Sequence, residues 1–421
     1  MNMDQEKLIT NEKPTLSEAK RALLKKRLQG KRKPSTQPVT IPKLSDDGPA
    51  VLSFAQERLW FLELFQPEMT AYNLPFAFDL EGALAVDNIE QAFQLVVKRH
   101  ASLRTQFVKN GNGAQQVVLA NVTIKIPVID LQTYSVEDQN KKIACHMDRA
   151  TEQLYDLSQA PLFRLALLRL APKKHILLVN MHHIISDGWS MSIFVQEVFQ
   201  TYAALCQNTM PDLPVLPIGY SDYAVWQRTY LEAEVFEKQI RYWQQQLDQA
   251  PPIQALPTDK PRPDVQTFNT AKVSIEIPHP VINQAKQLSK NAGVTLYMIL
   301  LSGFKLLLSR YLGQTDIVVG TPIANRNLTD VENVIGFMLN TLVLRTDLSG
   351  NPSFMTLLKR VRDVALGAFD NQDLPFEKLV EVLNPERHLN YTPLFQNMFN
   401  FHNNPTPNIT VPNLKVSPYP G

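Results

Sequence analysis

Residues 175–200 read HILLVNMHHIISDGWSMSIFVQEVFQ. The opening run of apolar residues has no alternation, which is the pattern of a strand buried on both faces. The closing part places Phe194, Val195, Val198, Tyr202 and Leu205 on one side of a helix running through MSIFVQEVFQTYAALC. Between them lies a polar turn carrying His182, His183, Asp187, Gly188, Trp189 and Ser190. A rigid strand that ends in a turn holds side chains at a fixed edge, so this unit is where chemistry is expected.

The flanking sequence repeats this alternation. LFRLALLRL at 162–170 reads as a neighbouring buried strand, and Ile89, Ala92, Phe93, Val96 and Val97 fall at helical spacing in 88–100. After three prolines in QALPTDKPRPDVQ at 254–266, the natural hinge, AKVSIEIP (271–278) reads as a strand. Helices follow at 280–293 and 296–312, then a strand at 316–324, a helix at 354–369 and a last strand at 393–402. The fold class expected is mixed α/β. A chain of 421 residues exceeds one ordinary core and implies two lobes with a cleft. The boundaries expected are a basic helical segment at 1–45, one lobe at 46–253 and a second at 254–421.

Bulk properties exclude several classes. The net charge of +2 gives no reason to expect nucleic acid as a partner. Cys145 and Cys206 are the only cysteines, so neither a disulfide framework nor a metal-type cysteine spacing exists, and a reducing compartment fits. The start, MNMDQEKLITNEK, has no apolar signal region, and the apolar run at 296–308 is interrupted by Lys305. No membrane span and a cytoplasmic location are expected. Within 17–36, Ala19, Ala22 and Leu23 mark one side of a short basic helix, readable as a solvated tail or a partner-docking helix.

The turn at 182–188 carries the chemistry. An imidazole with an ordinary pKa of about 6.5 accepts a proton or hydrogen bond at neutral pH without further activation. Asp187 is expected to fix the turn by pairing with a buried arginine, and Gly188 to supply a positive φ. His175, His182 and His183 share one strand without a further ligand nearby, so no metal is expected. There is no G-x-S-x-G elbow, P-loop or dinucleotide fingerprint. A histidine base without its own nucleophile points to direct transfer between two bound substrates.

At this point the chain resembles the condensation domains of nonribosomal peptide synthetases, whose central motif is HHxxxDG. Six family motifs occur in order: LSFAQERLWFL (52–62), RHASLRTQF (99–107), MHHIISDGWS (181–190), YSDYAVWQ (220–227), IGFMLNTLVLR (335–345) and NQDLPFEKLVEVLNPERHLNYTPLFQNMF (371–399). The resemblance implies two chloramphenicol acetyltransferase-like lobes forming a V-shaped pseudo-dimer, with a tunnel between them. It implies that His183 is catalytic and that His182, Asp187 and Gly188 build the motif around it. Asn340, Trp189 and Ser190 are expected at the substrate, and Arg345 or Arg262 as the partner of Asp187. Arg99 and Arg104, by contrast, read as packing residues, and Trp60, Trp226 and Phe376 as core.

The family reaction joins a donor acyl or peptidyl thioester on one carrier protein to the amine of an aminoacyl group on another, giving an amide. No cofactor is expected on this chain itself; substrates ride on the phosphopantetheine of partner carriers. A donor carrier arriving in trans through the N-terminal segment, an acceptor carrier and a downstream adenylation domain are the partners implied. Family members continue beyond the point where this sequence stops, so a truncated second lobe is expected. A stand-alone acyltransferase to a diffusible acceptor and a non-catalytic recruitment module of the same fold are the alternatives.

Overall fold

The computed structural model describes residues 40–45, 48–111, 113–231, 234–264, 266, 270–386, 388, 390–402, 409 and 411–419. The basic helix expected within 17–36 lies outside the described residues. Helices and strands intermingle along the chain, as the mixed α/β reading requires. Among the described residues no single helix is long and apolar enough to cross a membrane.

The strand Lys174–His182 is the middle of a five-stranded sheet ordered Leu414–Pro418, Asn73–Gly82, Lys174–His182, Phe163–Ala171, Val128–Asp130. It pairs antiparallel on both sides, and every residue after Lys174 is buried. Leu177, Val179 and Met181 enter the larger core, whereas Ile176 and Leu178 join a second cluster with Ile143. Burial on both faces explains why the run shows no polar alternation. On the larger-core side, helices Val86–Arg99 and Gly188–Cys206 pack together, with Phe194 5.5 Å from Phe93 and 6.1 Å from Phe163 by ring centroids. Burying an aromatic or branched aliphatic side chain stabilises by about 1.5–3 kcal/mol. The end of this strand is therefore a firm anchor.

Two expected strands are not regular strands. Residues 271–278 pair with no strand among the described residues, and Val273 and Ile275 are each 84% exposed. Their alternation has no neighbour to satisfy, and a strand exists only as part of a ladder. The segment at 393–402 makes a single parallel bridge, Gly320 to Met398, flanked by Gly320 N–H to the Asn397 carbonyl (3.0 Å) and Phe399 N–H to the Gly320 carbonyl (2.8 Å). Gly320 allows this because a side chain there would meet the Phe395 ring at 2.5 Å.

Two compact units emerge, and they cut across the boundary expected near 254–266. One comprises 270–317 and 346–366; the other comprises the described residues within 40–266, 318–345 and 367–419. Within the second, the Gln254 carbonyl accepts from the Asn397 amide (2.8 Å) and its Oε1 accepts from Val318 N–H (2.7 Å), which ties segments distant in sequence. Consecutive residues therefore do not define the units.

The smaller unit buries Lys305 fully, with Nζ 2.7 Å from Thr346 Oγ1. Burial lowers its pKa from 10.5 to about 7, against the attraction of Asp316. A base whose pKa falls on folding weakens the fold most at pH below the folded value, and the penalty vanishes as pH rises to the unfolded value. Lys305→Met is therefore expected to gain stability at pH 6, with the advantage shrinking by about 3–5 kcal/mol toward pH 10.5. Urea denaturation at the two pH values reads this difference directly.

Candidate active site

The ladder of the central strand continues one residue past His182, because His183 N–H donates to the Tyr72 carbonyl at 2.8 Å. The chain then makes one 3-10 turn, His183–Ile185. His182 caps it: its Nδ1 accepts from Ile184 N–H at 3.2 Å. The His182 proton consequently sits on Nε2, which is buried without a partner. Burial, then the neighbouring His183, lowers its pKa to about 3, so it stays neutral. His182 builds the turn and is not available as a base.

His183 faces the other way. Its Nδ1 lies 2.8 Å from the Ser186 carbonyl, which only accepts, so the proton is assigned to Nδ1 and Nε2 carries the lone pair. The ring stands edge-on to Phe337, with centroids 4.6 Å apart. Burial lowers its pKa, and the Asp187 carboxylate opposes this in part. A neutral imidazole held at one nitrogen and open at the other is a fixed acceptor.

Asp187 is extended (φ −139°, ψ −180°) and caps the helix Gly188–Cys206, its Oδ1 accepting from Ser190 N–H at 2.7 Å. Its Oδ2 accepts from Met338 N–H at 3.1 Å. Gly188 is the first helical residue and has no positive φ, which corrects the expectation. The extended Ser186 and Asp187 make the bend instead.

The arginine that pairs with Asp187 is Arg326, with Nη2 3.4 Å from Oδ1 and both side chains 2% exposed. Neither expected candidate is in place. Arg345 donates to the carbonyls of Gln246 (3.4 Å) and Asp248 (2.5 Å), at the C-terminal end of the helix Glu234–Leu247. Arg262 donates to the Asn390 carbonyl and lies over the Tyr391 ring. Arg326 also donates from Nη1 to the carbonyls of Val331 and Val334, both at 2.6 Å, and from Nη2 to Ser190 Oγ at 2.7 Å. It clamps 331–336 onto the histidine turn.

The three residues expected at the substrate are engaged within the chain. Ser190 Oγ donates to the Gly336 carbonyl (2.9 Å) and accepts from Gly336 N–H (3.0 Å) and from Arg326. Trp189 Nε1 donates to the Glu332 carbonyl at 3.0 Å. Asn340 Nδ2 donates to the carbonyls of Gln372 (2.9 Å) and Leu374 (2.8 Å), and its Oδ1 accepts from Phe376 N–H (3.0 Å) and Thr341 N–H (2.8 Å). An amide with two donors and two lone pairs so used has nothing left for a ligand. These residues position the site. Arg99 pairs with Glu197 at 3.0 Å and Arg104 binds the Leu119 carbonyl.

Phe337, Gly336 and Tyr220 were not singled out from sequence. Tyr220 is buried and donates to the Phe337 carbonyl, while its oxygen lies 2.9 Å from Ser53 Oγ. A Cβ on Gly336 would lie 1.8 Å from Tyr220 Cδ2. Gly336→Ala is accordingly expected to destabilise by more than about 3 kcal/mol, above the usual cost of overpacking, because backbone and ring are both hydrogen-bonded in place. Thermal denaturation of Gly336→Ala and Gly336→Ala/Tyr220→Ala checks this: the second change relieves the clash, so the two effects are expected to be non-additive.

Residues 47–417 match the family described as Condensation domain. Two linear gramicidin synthase polypeptides of Brevibacillus parabrevis are similar to the chain, one 42% identical over 392 residues and the other 47% identical over 354. These matches cover 93% and 84% of this chain, which spans only 8% and 7% of those much longer proteins. Among solved structures, it resembles an X-domain of teicoplanin biosynthesis in complex with OxyB (TM-score 0.79, 26% identity), covering 91% of this chain and 83% of that one. The chain belongs to the condensation-domain family of nonribosomal peptide synthetases.

Proposed function

We propose that this chain catalyses amide-bond formation between a donor acyl or peptidyl thioester and the amine of an aminoacyl acceptor, each held on the phosphopantetheine of a carrier protein. The observation that carries it is the neutral His183, fixed through Nδ1 to Ser186 and open at Nε2. A thioester is already activated, so the reaction needs an aligned, deprotonated amine and stabilisation of the oxyanion. His183 orients the amine and takes its proton as the tetrahedral intermediate forms; collapse of the intermediate breaks the C–S bond, and the donor carrier's phosphopantetheine thiolate leaves with that proton. The N–H groups of Gly188 and Trp189, at the helix N-terminus, carry none of the hydrogen bonds seen among the described residues and are the donors offered to the oxyanion. Carrier proteins and an adenylation domain are the partners this reading requires, in a cytoplasm that keeps both cysteines reduced.

The experiment is to mix the chain with acyl-loaded and aminoacyl-loaded carriers and follow the acceptor carrier by intact mass. Gain of the donor acyl mass on the acceptor supports the reading; folded protein that binds both carriers without product contradicts it. The likeness to a domain solved with OxyB favours a second reading, recruitment of a partner enzyme. That reading expects carrier binding without transfer.

A further inference from the structure

A cavity of about 200 Å³ lies away from His183, lined by Lys43, Arg99, Ser102, Arg104, Asp222 and Ile335 among others. We propose that it binds a small oxyanion of the phosphate class. Its volume falls below the roughly 300–1,000 Å³ of sites for drug-sized ligands, which restricts the occupant to a small ion or group.

Charge favours an anion. Lys43, Arg99, Arg104 and Asp222 line the cavity, and Glu197 is shared by Arg99 and His100. Among the described residues, three cations against these two carboxylates are an excess of one positive charge. Lys43 is exposed at the rim, and no ion pair among the described residues engages its ammonium group. Asp222 is occupied, its Oδ1 accepting from Leu44 N–H (2.8 Å) and its Oδ2 from Gly219 N–H (2.7 Å). Its charge is thus partly screened from the cavity by two backbone donors.

Unpaired donors supply a second, independent indication. Ser102 is 5% exposed and its hydroxyl has no hydrogen-bond partner; Arg104 Nε is likewise buried without one. Buried donors left unpaired are unfavourable, and an acceptor with several oxygens relieves them together. Both come from 102–104, between the helix Val86–Arg99 and the strand Thr105–Asn110, so they are held on a rigid frame.

The cavity also touches the back of the active-site segment. Val334, Ile335 and Tyr220 line it, and Tyr220 holds the Phe337 carbonyl. An ion there is expected to brace the segment that carries Phe337 against His183.

The test uses inorganic phosphate, titrated against the whole chain at constant ionic strength with chloride as the control, read by calorimetry and by thermal denaturation. Saturable heat and a rise in Tm beyond that given by chloride are expected. Lys43→Ala and Ser102→Ala, which remove one donor each and disturb no existing hydrogen bond, are each expected to weaken phosphate by about tenfold. Equal effects of phosphate and chloride, or phosphate binding undiminished in both variants, would overturn the proposal.

Discussion

His183→Ala is expected to retain the fold and lose about 10²–10⁴-fold in single-turnover amide formation. The size separates two contributions. An α-amine of pKa about 7.7–8.0 is about one-tenth to one-sixth neutral at pH 7, so removing its proton recovers only about 1 kcal/mol from that source. Positioning a reacting group is worth several times more. His183→Gln, which keeps an acceptor on a side chain of similar reach, is therefore expected to lose only about tenfold at pH 7. Raising the pH to 9 deprotonates the amine without help. The deficit of the glutamine variant should then shrink, while that of the alanine variant, which has lost orientation, should persist. Equal deficits at both pH values would place general-base transfer ahead of positioning.

Asp187→Ala is expected to lose about 3–5 kcal/mol of stability, because it leaves the Arg326 guanidinium buried without a counter-charge. It also strips the cap from the helix Gly188–Cys206 and the acceptor from Met338 N–H. Arg326→Met should cost a similar amount by the converse route, with the carbonyls of Val331 and Val334 losing their donor. The double variant Asp187→Ala/Arg326→Met should be more stable than the sum of the single losses predicts, since neither charge is then stranded. Chemical denaturation of the four proteins closes this cycle. Strict additivity would mean that the pair contributes nothing beyond its separate hydrogen bonds.

The unit around His183 was legible because several local signals agree. The apolar run is long enough for a doubly buried strand, the turn residues are polar, and the next helix has a clear apolar side. Those signals are local, and so is the prediction they permit. Which arginine reaches Asp187 is a tertiary fact: Arg326 is 139 residues away, and nothing in its immediate sequence distinguishes it from Arg345. What places it is the end of the strand Asp316–Ile323, and that strand's path is not encoded in the spacing of either residue.

Asn340 shows the reverse error. An amide within a site motif suggests a ligand contact, yet three of its four hydrogen bonds hold 372–376 and the fourth is taken by Thr341 N–H. Residue type alone does not reveal how many hydrogen bonds a neighbouring loop will demand. Gly188 misled in a similar way, since Asp-Gly suggests a turn with positive φ, whereas here the aspartate caps and the glycine begins the helix. Phe337 and Gly336 have no polar side chain, and their hydrogen bonds are made by the backbone. Their importance lies in close approach to His183 and Tyr220, which only coordinates show.

The most direct measurement is ¹⁵N NMR of the histidine imidazoles across pH, with the His183 signals assigned by their loss in His183→Ala. The structure requires a neutral ring at pH 7 with its proton on Nδ1, titrating below the ordinary histidine value because burial outweighs the attraction of Asp187. A proton found on Nε2, or a ring already charged at pH 7, would leave no lone pair to receive an amine and would contradict the role assigned to His183.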